Sequence, residues 1–142
     1  MREGPVSSSG LLLIGEVAPK LTTMAPAREL YQGPIFERRR AYAEASGQPW
    51  LVLSSRWGLV HPDELIAPYE LTLGDQPAMF RRAWGRYVAE QLAAAVALER
   101  GMVVEVHADG LYLECIRSPL QHLELVVLDG VDAGSFTEPL VG

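Results

Sequence analysis

Four short, predominantly apolar runs constrain the fold of this chain more than any other feature. The runs are Leu11–Gly15, Trp50–Leu53, Met102–Val106 and Leu123–Leu128. Predominantly apolar runs of this length are typical of strands that are buried on both faces of a parallel sheet. Helical patterns separate the runs, so the sequence predicts an α/β fold: a small, mostly parallel sheet of about four or five strands with helices on both faces.

Three segments between the runs carry helix signals. The first begins at Pro34, a residue favoured in the first turn of a helix, and ends before Gly47. The longest is predicted over residues 76–100, with Asp75 as its N-cap. A short helix is predicted over residues 109–120. Together with the four runs, these segments predict one domain over residues 10–142.

The length of the chain and the composition of its ends predict one domain with a tail at each end. The 142 residues are enough for one domain with a substantial core. The polar residues 1–9 are expected to form a disordered tail, and the chain is expected to end in a weakly structured C-terminal tail. The longest apolar run is too short to span a membrane, and the N-terminus lacks the apolar segment of a signal peptide. We therefore expect a cytoplasmic protein.

Charge and cysteine content narrow the possible partners. The net charge of −6 counts against non-specific binding to nucleic acid, which needs a basic face. Cys115 is the single cysteine, so the chain has no internal disulfide and no cysteine-based zinc site. The three histidines lack metal-ligand spacing. We expect no metal and no cofactor.

Polar residues cluster directly after the first three predicted strands. The carboxyl ends of parallel strands meet at one edge of a sheet, where ligands bind, so we expect a pocket for a small-molecule ligand there. Arg28 and Tyr31 lie beside the first of these loops and are expected to help close the pocket. The other candidates are Glu16 and Lys20 after the first strand, Ser54, Ser55, Arg56, Trp57 and Gly58 after the second, and His107, Asp109 and Tyr112 after the third.

Glu16 and Lys20 are the candidate catalytic residues. Lys20 is the only lysine in the chain. A carboxylate at the end of a buried strand can act as a general acid/base or as a nucleophile. A lysine can act as a nucleophile or as a point charge that holds a phosphate or carboxylate. The alternative is a solvated glutamate and lysine in an ordinary loop.

The other two loops offer binding groups. Ser54, Ser55 and Arg56 can hold an anion, and Trp57 can stack on a planar ring. Gly58 permits the backbone to turn or to approach a ligand closely. The alternative for this loop is a structural turn with its tryptophan in the core.

The third loop combines a histidine with a helix start. His107 can act as a general acid or base, and the helix N-terminus at Asp109 can bind an anion. The alternative is a structural histidine and an aspartate that serves only as an N-cap.

The string "LSSRWGLVHPDELIAPYELTLG" (Leu53–Gly74) and the weaker match "VEVHADGLY" (Val104–Tyr112) resemble small bacterial domains of unknown function related to the YaaA peroxide-stress proteins. Members of that family typically carry a Cys, three residues and a Lys after the first strand. Here Glu16 stands at the Cys position and Lys20 at the Lys position. A similar Cys–Lys pattern occurs in the lysine-transferring domains of archaeosine synthesis, which act on a deazaguanine base. The resemblance implies a shared fold and pocket, with altered or lost chemistry where the cysteine is replaced.

Three hypotheses for the function remain open. The first is an enzyme that acts on a nucleobase, a nucleoside or a similar polar heterocycle, with Glu16 as the acid/base or nucleophile, Lys20 holding a carbonyl or anionic group and Trp57 stacking on the ring. The second is a non-catalytic binding module, a partner subunit or a homo-oligomer, which would use residues 135–142 and the Trp84/Tyr87 face of the long helix. The third is a stress-related DNA-binding protein that uses the arginines at positions 38–40, 81, 82 and 86.

Overall fold

A computed structural model describes residues 10–130, and the tails predicted at the two ends of the chain lie partly or wholly outside the described residues. Within that range the chain alternates strands and helices, as the sequence predicts. The elements are β1 (Gly10–Gly15), β2 (Ala25–Pro26), α1 (Ala27–Leu30), α2 (Pro34–Ala45), β3 (Trp50–Ser54), β4 (Gly58–Val60), β5 (Leu65–Ile66), a 3-10 turn (Leu73–Asp75), α3 (Ala78–Ala95), β6 (Val103–His107), α4 (Gly110–His122) and β7 (Val126–Asp129).

Five strands form one sheet in the order β4-β3-β1-β6-β7. The strands β3, β1, β6 and β7 are parallel, and β4 pairs antiparallel with β3 at one edge. The short strands β2 and β5 pair separately. The α/β prediction is confirmed. The sequence analysis missed β4, because its three residues lie within a segment dominated by turn residues.

The side chains of the sheet alternate between two cores, one on each face. Leu12 and Ile14 of β1 pack with Phe36 of α2. Leu11 and Leu13 face the opposite side and pack in the core formed by α3 and α4. Helices therefore cover both faces of the sheet, as predicted.

Helix α3 is shorter than predicted. It spans Ala78–Ala95 instead of residues 76–100, and Pro77 rather than Asp75 precedes it. Because a residue before proline is restricted to extended conformations, Gln76 adopts φ −90° and ψ 152° and cannot belong to the helix. No helix among residues 10–130 is long and apolar enough to cross a membrane.

The predicted Trp84/Tyr87 surface is not one exposed face. Trp84 is buried, and its Nε1 donates a hydrogen bond to the backbone oxygen of Ser54 at 3.0 Å. Tyr87 is half-exposed. The tryptophan therefore belongs to the core between α3 and the sheet, where it supports the end of β3.

The strand order places the switch point of the sheet between β1 and β6. From β1 the chain continues to β3 on one side, and it later returns to β6 and β7 on the other side. In open α/β sheets ligands bind outside the carboxyl ends of the strands at such a point. The residues that follow these two strands, Glu16 and Asp109, therefore lie where a ligand is expected.

Candidate functional site

An open cleft of about 970 Å³ lies at the carboxyl edge of the sheet. Its walls come from the loop after β1, from residues 68–76 and from the start of α4. The polar side chains on these walls include Glu16, Lys20, Tyr69, Asp75, Asp109 and Tyr112. The structure thus brings four of the predicted site residues, Glu16, Lys20, Asp109 and Tyr112, to one cavity.

Glu16 is a buried carboxylate with three hydrogen-bond donors. Its side chain lines the cleft although the residue is only 6% exposed. Oε1 accepts a hydrogen bond from the hydroxyl of Tyr69. Oε2 accepts one from the hydroxyl of Tyr112 and one from the backbone N–H of Ser55 at 3.0 Å. The donors compensate for the water that burial removes, and because a carboxylate offers about four acceptor positions, one position on Oε1 remains.

The hydrogen bonds behind Glu16 have one consistent direction. The Ser54 hydroxyl oxygen accepts from the backbone N–H groups of residues 56 and 57 at 3.2 and 3.0 Å. Its own proton is therefore directed to the Tyr69 hydroxyl oxygen, which lies 2.8 Å away. The Tyr31 hydroxyl lies 2.6 Å from the same oxygen. Since Tyr69 donates its proton to Glu16, the carboxylate is the final acceptor of this hydroxyl network.

The tyrosines of this network are held in their protonated form. Burial raises the pKa of Tyr31 to about 12. Burial, together with the negative charge of Glu16, raises the pKa values of Tyr69 and Tyr112 well above the usual tyrosine range. At neutral pH these hydroxyls therefore serve as hydrogen-bond donors to the carboxylate.

Lys20 lies on the cleft wall against aromatic rings. Its Nζ is 4.6 Å from the centroid of the Tyr69 ring and 5.8 Å from that of the Tyr31 ring. The backbone of Lys20 also forms an antiparallel bridge with Tyr31. Within residues 10–130, no carboxylate is within ion-pairing distance of Nζ. Tyr69 thus joins the two predicted catalytic residues: its ring contacts the ammonium and its hydroxyl contacts Glu16.

Sequence reasoning missed Tyr69. The segment around it has no periodicity and contains Pro68, so the sequence indicated only irregular structure. Its one signal was its place in the string Leu53–Gly74 that carries the YaaA-like resemblance. The Ser55 hydroxyl donates to the backbone oxygen of Leu71 at 2.8 Å and fixes this segment against the end of β3. The two predicted serines therefore lie behind the cleft and hold its wall.

Arg39 is a second residue that was not predicted at the pocket; the sequence indicated it only as one of the arginines of the DNA-binding hypothesis. It is 7% exposed and donates to the backbone oxygen of Gly15 at 2.9 Å and to the Asp109 carboxylate at 3.3 Å. Asp109 was expected to cap α4. It occupies the N-cap position but makes no side-chain cap bond, because its carboxylate pairs with the arginine instead.

His107 is buried and does not line the cleft. Its Nε2 lies 2.7 Å from a carboxylate oxygen of Glu105, and its ring packs 4.7 Å from that of Tyr42 in α2. Burial lowers the pKa of this histidine. The structure therefore separates His107 from Asp109, although the two are neighbours in the predicted loop.

Four other predicted pocket residues lie outside the cleft: Arg28, Arg56, Trp57 and Gly58. Arg28 pairs with Glu44 at 2.8 Å and with Asp63 at 2.9 Å. Trp57 is 45% exposed, and the Arg56 guanidinium lies over its ring. Gly58 opens β4 with a φ of +80°. Tyr31 does not line the cleft either, but it contacts the cleft through Tyr69.

The chain belongs to a family of unknown function, DUF6884. The family model matches residues 11–133, which include the whole five-stranded sheet from Leu11 onwards and every residue named above on the cleft wall. No curated protein matches the chain. The function of the family is unknown, and the match shows no link to YaaA-like proteins. Among the residues that the structure describes, no three histidine, cysteine or acidic side chains group to hold a metal ion.

Proposed function

We propose that this protein is an enzyme that acts on a small polar heterocycle, of nucleobase or nucleoside type, in the cleft beside Glu16. The observation that carries the proposal is the environment of that carboxylate. It is buried and oriented by three donors, yet it faces an open cleft at the switch point of the sheet. Tyr69 and Tyr112, whose pKa values are raised, line the same cleft, and ionisable groups of this kind in a cleft are typical of functional sites.

The cleft offers complementary groups for such a ligand. The remaining acceptor position on Glu16 Oε1 suits an N–H or O–H donor. The Lys20 ammonium suits a carbonyl oxygen or an anionic group. The edge of a nucleobase presents N–H and C=O groups side by side. Pro68 and Leu111 supply apolar surface for its ring.

Glu16 takes the role of general acid/base in this proposal. A proton from a ligand N–H or O–H group moves to Oε1, and Glu16 later returns it to the ligand. Tyr69 and Tyr112 keep the carboxylate oriented throughout, because both hydroxyls remain protonated at neutral pH.

We also propose a relationship to the YaaA-like proteins. The resembling string Leu53–Gly74 supplies Ser54, Ser55 and Tyr69, three residues that hold or contact Glu16 or its network. These three residues of the string support a common pocket with Glu16 in place of the cysteine, whereas Gly58 of the same string lies outside the cleft.

Thermal unfolding in the presence of bases, nucleosides and nucleotides tests the proposal. A ligand at 100 times its dissociation constant adds about 2.7 kcal/mol to the free energy of unfolding, which raises the melting temperature of a chain of this size by roughly 5–11 °C. We expect a rise in the wild type that is lost in Glu16→Gln and kept in the matched variant Glu105→Gln. A rise that survives in Glu16→Gln, or no rise with any compound of these classes, would contradict the proposal. For a compound that raises the melting temperature, chromatographic detection of a product that forms with the wild type and not with Glu16→Gln tests catalysis.

A second candidate function, binding of a protein partner without turnover, is favoured by an exposed aromatic patch. Trp57 and Tyr87 are 45% and 51% exposed. Gly58, the residue after Trp57, lies against the Tyr87 ring, since a Cβ added at Gly58 would be 3.0 Å from that ring. Sedimentation velocity of the wild type and of Trp57→Ser tests self-association through this patch. A dimer that is lost in the variant supports the binding function.

The structure does not gather the arginines of the DNA-binding hypothesis on one surface. Arg38, Arg39 and Arg40 belong to α2, whereas the arginines at positions 81, 82 and 86 belong to α3 on the opposite face of the sheet. Arg39 is buried, and Arg40 donates to the backbone oxygen of Arg28 at 2.8 Å. A continuous basic face, which DNA binding requires, is therefore not formed by these residues.

A further inference from the structure

We propose that Lys20 forms an imine with the carbonyl carbon of an aldehyde or ketone ligand in the cleft. The inference rests on the proposed function and deepens it. It names the ligand class as a polar heterocycle with a free carbonyl group, and it makes the Nζ atom of Lys20 the group that forms the covalent bond.

Lys20 lies on the cleft wall, where an amine can meet a ligand. Lys20 is half-buried, and its Nζ contacts the rings of Tyr69 and Tyr31. Within residues 10–130, no carboxylate is within ion-pairing distance of this nitrogen. Losing its proton therefore breaks no ion pair, and the free amine can attack a carbonyl carbon in the cleft.

The same cleft supplies a proton acceptor. Glu16 lines the cavity with Lys20, and Tyr69 contacts both residues, one through its hydroxyl and the other through its ring. The unused acceptor position on Oε1 is available to take a proton. A base and an amine on one cavity wall are the two groups that imine formation requires.

The step balances without any further reactant. One proton of the Lys20 ammonium first passes through a water molecule in the cleft to the Glu16 carboxylate. The Nζ electron pair then forms a bond to the carbonyl carbon, the π electrons move to oxygen, and a proton passes from nitrogen to that oxygen. Glu16 returns its proton to the hydroxyl, which leaves as water while nitrogen forms the C=N bond. A carbonyl compound and an ammonium thus yield a protonated imine and water, and Glu16 is regenerated.

Reductive trapping with acetaldehyde and sodium cyanoborohydride tests this inference, because Lys20 is the only lysine in the chain. Peptide mass spectrometry measures ethylation at Lys20 relative to ethylation at the α-amino group of the same chain. This ratio is compared between the folded protein and the protein unfolded in urea. We expect the ratio to be at least ten times higher in the folded protein. A ratio that is equal or lower in the folded protein overturns the inference.

Two variants separate this inference from the proposed function. In Glu16→Gln we expect the enhancement at Lys20 to disappear, whereas in the matched variant Glu105→Gln it is kept. Enhancement that persists in Glu16→Gln supports the nucleophilic lysine but contradicts the acid/base role of Glu16. Absence of enhancement in the wild type, together with a Glu16-dependent rise in melting temperature, overturns the imine alone and leaves the ligand cleft intact.

Discussion

Two carboxylates in this protein share their hydrogen-bond chemistry and differ in access. In the Glu16 cluster, which comprises Glu16, Tyr31, Ser54, Tyr69 and Tyr112, the carboxylate accepts from two tyrosine hydroxyls and one backbone N–H. In the Glu105 cluster, which comprises Tyr42, Glu105 and His107, the carboxylate accepts from the Tyr42 hydroxyl at 2.9 Å and contacts the histidine at 2.7 Å. Glu16 faces a cleft, whereas Glu105 lies within β6 under helix α2.

The difference shows that position along the strand, rather than residue type, decides whether a hydrogen-bonded carboxylate faces the cleft. Glu16 directly follows β1, where the sheet ends and loops form the walls of a cavity. Glu105 lies two residues before the end of β6, so a helix packs over it and its partners. The contacts of the Glu105 cluster therefore hold α2 on the sheet.

Replacing each carboxylate by leucine should give the largest difference in stability between the two clusters. Glu16→Leu leaves three buried donors without their acceptor, and each such donor costs about 1–3 kcal/mol, so we expect a loss of about 3 kcal/mol or more in the free energy of unfolding. Glu105→Leu affects fewer donors, and water reaches its partly exposed site, so its loss is smaller. Urea unfolding measures both. A larger loss in Glu105→Leu would contradict the comparison.

The Glu16 cluster is expected to fail in base. The pKa values of Tyr31, Tyr69 and Tyr112 are raised in the folded protein, so above about pH 10, where the tyrosines of the unfolded chain ionise, the folded state binds more protons. Stability therefore falls as the pH rises past this value. Ultraviolet absorbance of tyrosinate, recorded with circular dichroism, should show these three tyrosines ionising only as the fold is lost. Their ionisation in the folded protein at the usual tyrosine pKa would refute this expectation.

The Glu105 cluster is expected to weaken in mild acid. Burial lowers the pKa of His107, so between its folded and unfolded values the unfolded chain binds more protons. Stability therefore falls as the pH drops below about 6.5, the usual histidine pKa. Urea unfolding at about pH 7.5 and about pH 5.5 measures the loss, which we expect to be smaller in His107→Gln. An equal loss in the variant would assign the acid sensitivity to other groups.

Deleting a single tyrosine hydroxyl from each cluster should give the smallest difference in the free energy of unfolding. Tyr69→Phe removes the donor to Glu16 and the acceptor of the Ser54 and Tyr31 protons, and we expect a loss of about 1–3 kcal/mol. Tyr42→Phe removes one bond to a partly exposed carboxylate and should cost about 0.5–1.5 kcal/mol. Urea unfolding of the two variants under identical conditions resolves them. A costlier Tyr42→Phe would mean that the hydroxyl network does not stabilise the Glu16 cluster.

Much of the fold could be predicted because it depends on local signals. Predominantly apolar runs mark all four parallel strands, and Pro34 and Gly47 mark the limits of α2. The start of α3 was wrong because the effect of Pro77 on Gln76 outweighed the capping preference of Asp75. The antiparallel strand β4 has too few residues to show a period.

The site could be predicted where residues lie in the segments that follow β1 and β6. Glu16 and Asp109 reach the cleft because the topology brings the ends of β1 and β6 together. Tyr69 comes from an aperiodic segment, and Arg39 is the one member of an arginine run that turns towards the sheet, so only tertiary packing identifies them. Trp57 lies in the turn directly after β3, and this turn directs its side chain outwards.

The central claim is that Glu16, and not Glu105, is the carboxylate that meets a ligand. A nuclear magnetic resonance titration with a panel of nucleobases and nucleosides tests it most directly, because the backbone amide of Ser55 donates to Glu16 and the His107 imidazole contacts Glu105. We expect at least one compound to shift the Ser55 amide resonance in a saturable way and to leave the His107 ring resonances unchanged. Saturable shifts of His107 without any at Ser55, or no saturable shift with any compound, would contradict it.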